Sequence, residues 1–252
     1  MMNKQKLVRY GIVVLCVIAI LIALVRVLSF NKKLDTYLVL GDYLSVSGNL
    51  EGDNIKSFSS LLGDYLIDDK LVSNVDNNYV SSSIDSELLL EMICKDAYNG
   101  KDRGIVDLIE SSKYITISVG MNDIIDYIRF DSSKQKMIYD KEYIKRKLEI
   151  MKQNYYEIVE AIKDINESSK VYLMSYYYPY SWVDGEYRED VDEVFKMLNE
   201  SIKDVSEVSD VYYVDISEVS REENMFNKSQ IYLNQLGHEY VFGVFKNTYF
   251  VD

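Results

Sequence analysis

The chain has 252 residues, enough for one α/β domain with an appendage, and a formal net charge of −13. Six of its 28 basic residues and none of its 41 acidic ones fall within residues 1–33, so the remainder carries −19. That charge, with no basic stripe interleaved with aromatics, argues against nucleic acid as a partner, and a single histidine excludes a His-based zinc site.

The first element is an apolar run from Leu7 to Phe30, interrupted near its end by Arg26. About 20 apolar residues suffice to cross the hydrocarbon core, and an arginine near a helix end snorkels to the headgroups. Lys4, Lys6 and Arg9 precede the run and favour a cytoplasmic N-terminus; Lys32 and Lys33 weaken that bias without reversing it. A cleaved signal peptide is the alternative, but the run is long for one and no small-x-small site follows it. Leu15 before Cys16 argues against lipoprotein processing. Residues 1–33 therefore read as a cytoplasmic tip and single-pass signal-anchor in the cell membrane. Residues 34–252 read as one extracellular domain.

Beyond Asn31-Lys32-Lys33, strands and helices alternate. Thr36–Leu40 reads as a buried strand, Ile55–Leu66 as an amphipathic helix, Lys70–Val75 as a second strand, and Ser83–Tyr98 as a helix capped by Ser83 or Asp85. Cys94, the only cysteine past the anchor, sits in the apolar run Leu88–Cys94 and is expected to be a buried, inert thiol. Tyr114–Val119 is a β-branched run and the clearest strand. Ile144, Leu148, Met151, Tyr155, Ile158, Ile162 and Ile165 recur at spacings of four and three, one continuous stripe of a long helix. Val171–Met174 reads as a strand, Val191–Val205 as a helix, Val211–Val214 as a strand and Leu236–Asn247 as the last helix. Strands separated by helices pair in parallel through right-handed crossovers, which predicts a three-layer α/β/α sandwich.

Ligands of such sheets sit beyond the carboxyl ends of the strands. The turns expected there read Gly41-Asp42-Tyr43-Leu44-Ser45 and Gly120-Met121-Asn122-Asp123, and a third segment, Ser229 to His238, precedes the last helix. In that order they resemble the motif blocks of the SGNH/GDSL hydrolases: Gly-Asp-Ser-Leu, Gly-x-Asn-Asp and Asp-x-x-His. Tyr176-Tyr177-Tyr178-Pro179-Tyr180 is similar to a Tyr-Asn-Pro-aromatic turn of bacterial members. The resemblance spans nearly the whole domain and implies the flavodoxin-like sandwich of that family. It places Tyr43 in the nucleophile slot, Ser229 in the slot of the triad aspartate and Tyr232 in that of the triad histidine. Asn122 keeps the oxyanion-hole slot. The oxyanion glycine would fall within Tyr79–Ser83, where there is none.

A serine hydroxyl needs an adjacent base, itself oriented by a carboxylate, and those three groups are replaced together here. A tyrosine phenol, with a reference pKa of about 10, gains no activating base from these motifs. Three rescues remain open: attack by Ser45 or Ser47, His238 as base, or Tyr43 itself as nucleophile. Asp42 and Asp123 tie turns or bind ligand beside Gly120 and Tyr178, and Trp182 adds to the aromatic rim. The acidic segment Asp184–Asp190 lacks EF-hand spacing and is expected to be a solvated loop; no metal or cofactor is expected. The leading expectation is a membrane-anchored pseudo-hydrolase that binds a cell-envelope glycan, an acylated ligand or a membrane-associated protein. An esterase or carbohydrate deacetylase with a relocated triad is the alternative.

Overall fold

A computed structural model describes Val17 and residues 34–50, 53–98, 103–131, 133, 136–179, 186–222, 224–227 and 232–250. The chain divides into two compact units, Met1–Leu34 and Asp35–Asp252. Apart from Val17, the expected membrane segment lies outside the described residues, and among the described residues no helix is long and apolar enough to cross a membrane.

In chain order the second unit opens with β1 (Thr36–Gly41), a short hairpin of β2 (Gly48–Leu50) and β3 (Asp53–Ile55), α1 (Phe58–Asp68) and β4 (Asn74–Val80). It continues with α2 (Ser86–Cys94), α3 (Ile105–Ser111), β5 (Ser112–Ser118), the single turn α4 (Met121–Ile124), and a hairpin of β6 (Arg129–Asp131) and β7 (Lys136–Ile138). The last part is α5 (Lys141–Ile165), β8 (Lys170–Met174), α6 (Glu186–Val208), β9 (Tyr212–Val214) and α7 (Gln235–Tyr249). Five strands form one parallel sheet in the order β4-β1-β5-β8-β9. α1 packs on α7, whereas α2, α3 and α6 pack on α5, which gives the expected three layers. β1 is buried along its whole length, as a central parallel strand covered on both faces must be. The strand order reverses at β1 and β5, so the crevice at their carboxyl ends is where this topology holds a ligand.

Several boundaries differ from the sequence expectation for local reasons. α1 starts at Phe58 because Ser57 caps it by accepting from Ser60 N, and Asp53–Ile55 is spent in a hairpin. The second sheet strand in the sequence begins at Asn74 rather than Lys70. Lys70 adopts φ 57° and closes α1 as a Schellman cap, Leu71 N donating to Leu66 O (2.9 Å) and Lys70 N to Ile67 O (3.0 Å). α2 starts at Ser86 because Asp85, and not Ser83, accepts from Leu88 N (2.8 Å). The buried face of α2 is Ser86, Leu89 and Ile93, which leaves Cys94 exposed instead of buried. Of the acidic stretch read as a loop, residues from Glu186 onward form the first turns of α6, where negative side chains favour the helix N-terminus; Asp184 and Gly185 lie outside the described residues.

Candidate functional site

Gly41 ends β1 with little room to spare. A Cβ there would lie 2.3 Å from Ser118 Oγ and 2.9 Å from Ser45 Oγ, so only glycine lets β1 and β5 deliver both turns to one place. Asp42 then caps a short 3-10 turn (Tyr43–Ser45), its Oδ1 accepting from Leu44 N at 3.0 Å and its own N–H donating to Ser118 O at 2.7 Å. Its other carboxylate oxygen accepts the hydroxyl of Tyr176, two residues past β8. The carboxyl is fully buried, and burial above all pushes it up to about 7, against the lowering effect of the Tyr176 hydrogen bond.

Tyr43 follows, buried at 9% exposure beyond the carboxyl end of β1. Its ring meets Tyr232 edge-on at 5.2 Å and Tyr176 at 6.3 Å, and its hydroxyl is buried without a well-formed hydrogen bond. Burial, and then the neighbouring Tyr177 phenol and Asp42 carboxylate, hold this hydroxyl well above the usual phenol range. A phenol that resists ionisation in this way is not an activated nucleophile. Tyr177 stacks edge-on with Phe226 at 5.4 Å behind it. The fold thus joins Tyr43 and Tyr232 in one aromatic contact. Ser229 lies outside the described residues.

Asn122 is close by on α4, but both of its amide hydrogens are committed. Nδ2 donates to Ser82 O at 3.0 Å and to Ile84 O at 2.7 Å. The side chain ties the loop after β4 to the turn after β5, which leaves no side-chain donor for an oxyanion. Asp123 ties the same turn to α2 by accepting from Ser86 N (3.1 Å) and Ser86 Oγ, and burial pushes it up to about 6. Gly120 turns the chain there at φ +133°, where a Cβ would also lie 3.0 Å from Met151 Sδ.

Neither serine of the rescue readings meets a base. Ser45 Oγ is buried and shares a 2.7 Å hydrogen bond with Ser118 Oγ. Ser47 is exposed and bonds Ser57 Oγ at 2.8 Å and Ser60 Oγ at 2.9 Å. His238 accepts Phe58 N on Nδ1 at 3.2 Å, at the start of α1, and burial lowers its pKa to about 4. No serine–histidine hydrogen bond occurs among the described residues. Asn234 caps α7 by accepting from Gly237 N at 3.0 Å.

Tyr178 is not part of the aromatic floor. It packs beside Phe195 at 6.2 Å and lines a separate polar cavity of about 250 Å³ with Arg188, Asp192, Ser220 and Arg221. The residues of that segment which reach the site are Tyr176 and Tyr177. The only sequence signal for them was their place just beyond a strand end, which they share with the other residues of the tyrosine-rich turn.

The profile of the GDSL-like lipase/acylhydrolase family matches residues 37–244, from the second residue of β1 into α7. The chain belongs to that family. Solved structures agree on the fold. The lipase Lip_vut3 from a goat rumen metagenome superposes with a TM-score of 0.65 at 19% identity, covering 84% of this chain and 96% of that one. The psychrotrophic esterase EstA from Pseudoalteromonas sp., inhibited by monoethylphosphonate, gives 0.55 at 17% identity, over 85% and 96%. Axe2, an acetylxylan esterase from Geobacillus stearothermophilus, gives 0.60 at 15% identity, over 87% and 96%. No curated protein matches the sequence.

Proposed function

We propose that this GDSL-like protein is a membrane-anchored, extracytoplasmic pseudo-hydrolase that binds a cell-envelope ligand or partner instead of cleaving esters. The observation that carries the reading is the floor of the crevice. Tyr43 stands in the nucleophile slot with its ring wedged against Tyr232, the residue in the histidine slot. An acyl carbon must sit where the Tyr43 ring now lies, and near-attack geometry tolerates little displacement. Asn122 supports it independently, because its donors are spent on Ser82 and Ile84. The anchor is supported by the apolar run Leu7–Phe30 and the basic residues ahead of it. One neighbour of this fold is a lipase and another an acetylxylan esterase, which supports an acylated glycan as the ligand class here.

Treatment of the purified chain with a fluorophosphonate probe tests this. The expected result is no covalent labelling and no turnover of p-nitrophenyl acetate above buffer. Stoichiometric labelling that disappears in Ser45→Ala or Ser47→Ala would establish a relocated triad and end the non-hydrolytic reading.

A further inference from the structure

Beside the crevice, the turn carrying Asn122 and Asp123 runs straight on into the 3-10 turn Ile125–Tyr127 and the β6–β7 hairpin. There a groove of about 440 Å³ is lined by Tyr127, Arg129, Ile138, Tyr139 and Tyr143, together with Asp126 and Asp140. Tyr127 is 40% exposed and Ile138 50% exposed, unusual for large apolar side chains on one small surface. The Tyr127 and Tyr143 rings lie 4.8 Å apart. Lys147 Nζ sits over both, 5.0 Å from the first and 5.9 Å from the second, and the Arg146 guanidinium lies 5.4 Å from the Tyr143 ring.

The charges at this place are unevenly spent. Asp140 caps α5, accepting from Tyr143 N at 3.0 Å. Glu193 is taken by Lys141 and by the Tyr139 hydroxyl (2.7 Å), and Glu142 by Lys145 (2.9 Å). Among the described residues, Arg129, Arg146 and Lys147 meet no carboxylate at ion-pair distance, although the exposed Asp126 and Asp140 line the groove and Asp123 acts on Lys147 through space. A domain of net charge −19 thus presents cations held in place by tyrosine faces. Long, densely charged polyanions are repelled by the whole-molecule field, so the ligand must be short and also offer a face to the rings.

We propose that the Tyr127–Tyr143 platform with Arg129, Arg146 and Lys147 is a binding site for an anionic saccharide, a sugar ring bearing a carboxylate or a phosphate. The C–H face of the ring lies on the exposed tyrosine, and the anion takes the guanidinium forks and the ammonium. This rests on the reading of the chain as a binder of envelope material, but it occupies a surface outside the Tyr43–Tyr232 contact.

Isothermal titration of the detergent-solubilised full chain tests it with three probes: an oligogalacturonate, glucose 6-phosphate and a neutral maltooligosaccharide. At least one anionic probe is expected to bind tenfold or more tightly than the neutral one. Arg146→Gln with Lys147→Gln should weaken that probe at least tenfold at an unchanged melting temperature, and Tyr127→Ala should weaken it as well. Binding of oligogalacturonate alone assigns a carboxylate, and binding of the sugar phosphate alone assigns a phosphate. Equal binding of the neutral oligomer, no binding of either anion, an unaffected double variant, or tighter binding of polyglutamate would each overturn the proposal. Labelling by the serine probe would end the non-hydrolytic reading and leave this site standing; loss of the anionic preference would do the reverse.

Discussion

Asp42 combines two jobs that conflict. As a cap it is best ionised, since its carboxylate accepts from Leu44 N and from the Tyr176 hydroxyl. As a fully buried carboxyl wedged below Tyr43 it is best neutral, and burial raises it to about 7. In the unfolded chain the same group titrates near 3.8. Between about pH 4 and pH 7 the folded state therefore holds a proton that the unfolded state has lost, and stability falls as pH rises through that window. Each pH unit inside it corresponds to about 1.4 kcal/mol. Asp123, raised to about 6, slopes the same way over a narrower range, whereas His238, lowered to about 4, costs stability as pH drops below 6.5. The difference between wild type and Asp42→Asn isolates the first term. Melting temperatures measured from pH 5 to pH 8 should fall more steeply in the wild type than in Asp42→Asn. Parallel curves would mean that Asp42 is ionised throughout.

At the scale of elements, the site depends on one place where the chain comes close to its own backbone. The start of α7 approaches the loop before it so tightly that a Cβ on Gly237 would lie 2.4 Å from the Met225 carbonyl oxygen and 3.0 Å from Leu233 Cβ. Leu233 is paired with Phe226 in an isolated bridge, and Tyr232 next to it is the residue that meets Tyr43. Gly237→Ala must push this loop away, at a cost of about 1–3 kcal/mol by the usual measure of overpacking. Gly243, on the same helix, has open space around it, and Gly243→Ala should stabilise by roughly 0.5–1 kcal/mol through helix propensity. Urea unfolding of the two variants checks the pair. Similar effects of the same sign would show that propensity, and not the close approach, governs both positions.

For the whole molecule, the separation of charge and hydropathy along the chain predicts two behaviours. The full chain should sediment with membranes and resist a carbonate wash, while a version beginning at Asp35 should be soluble and melt cooperatively. Release of the full chain by carbonate would remove the anchor from the reading. The layered sandwich and the order of its main elements were legible in the sequence because continuous apolar strands and 3.6-residue stripes are local patterns. The family turns were legible for the same reason, since Gly41-Asp42 and Gly120-Met121-Asn122-Asp123 each lie within a few residues. Helix ends such as Lys70 were not, because a non-glycine residue in a Schellman cap carries no sequence mark. By itself the sequence determined the fold class and the residues of the family turns. Only the tertiary structure decided what those residues do, because the contacts responsible join distant segments. Tyr176 reaches back to Asp42, Tyr232 closes on Tyr43, and Asn122 spends its donors on Ser82 and Ile84. Those contacts build one packed aromatic cluster, and no periodicity within one segment encodes them.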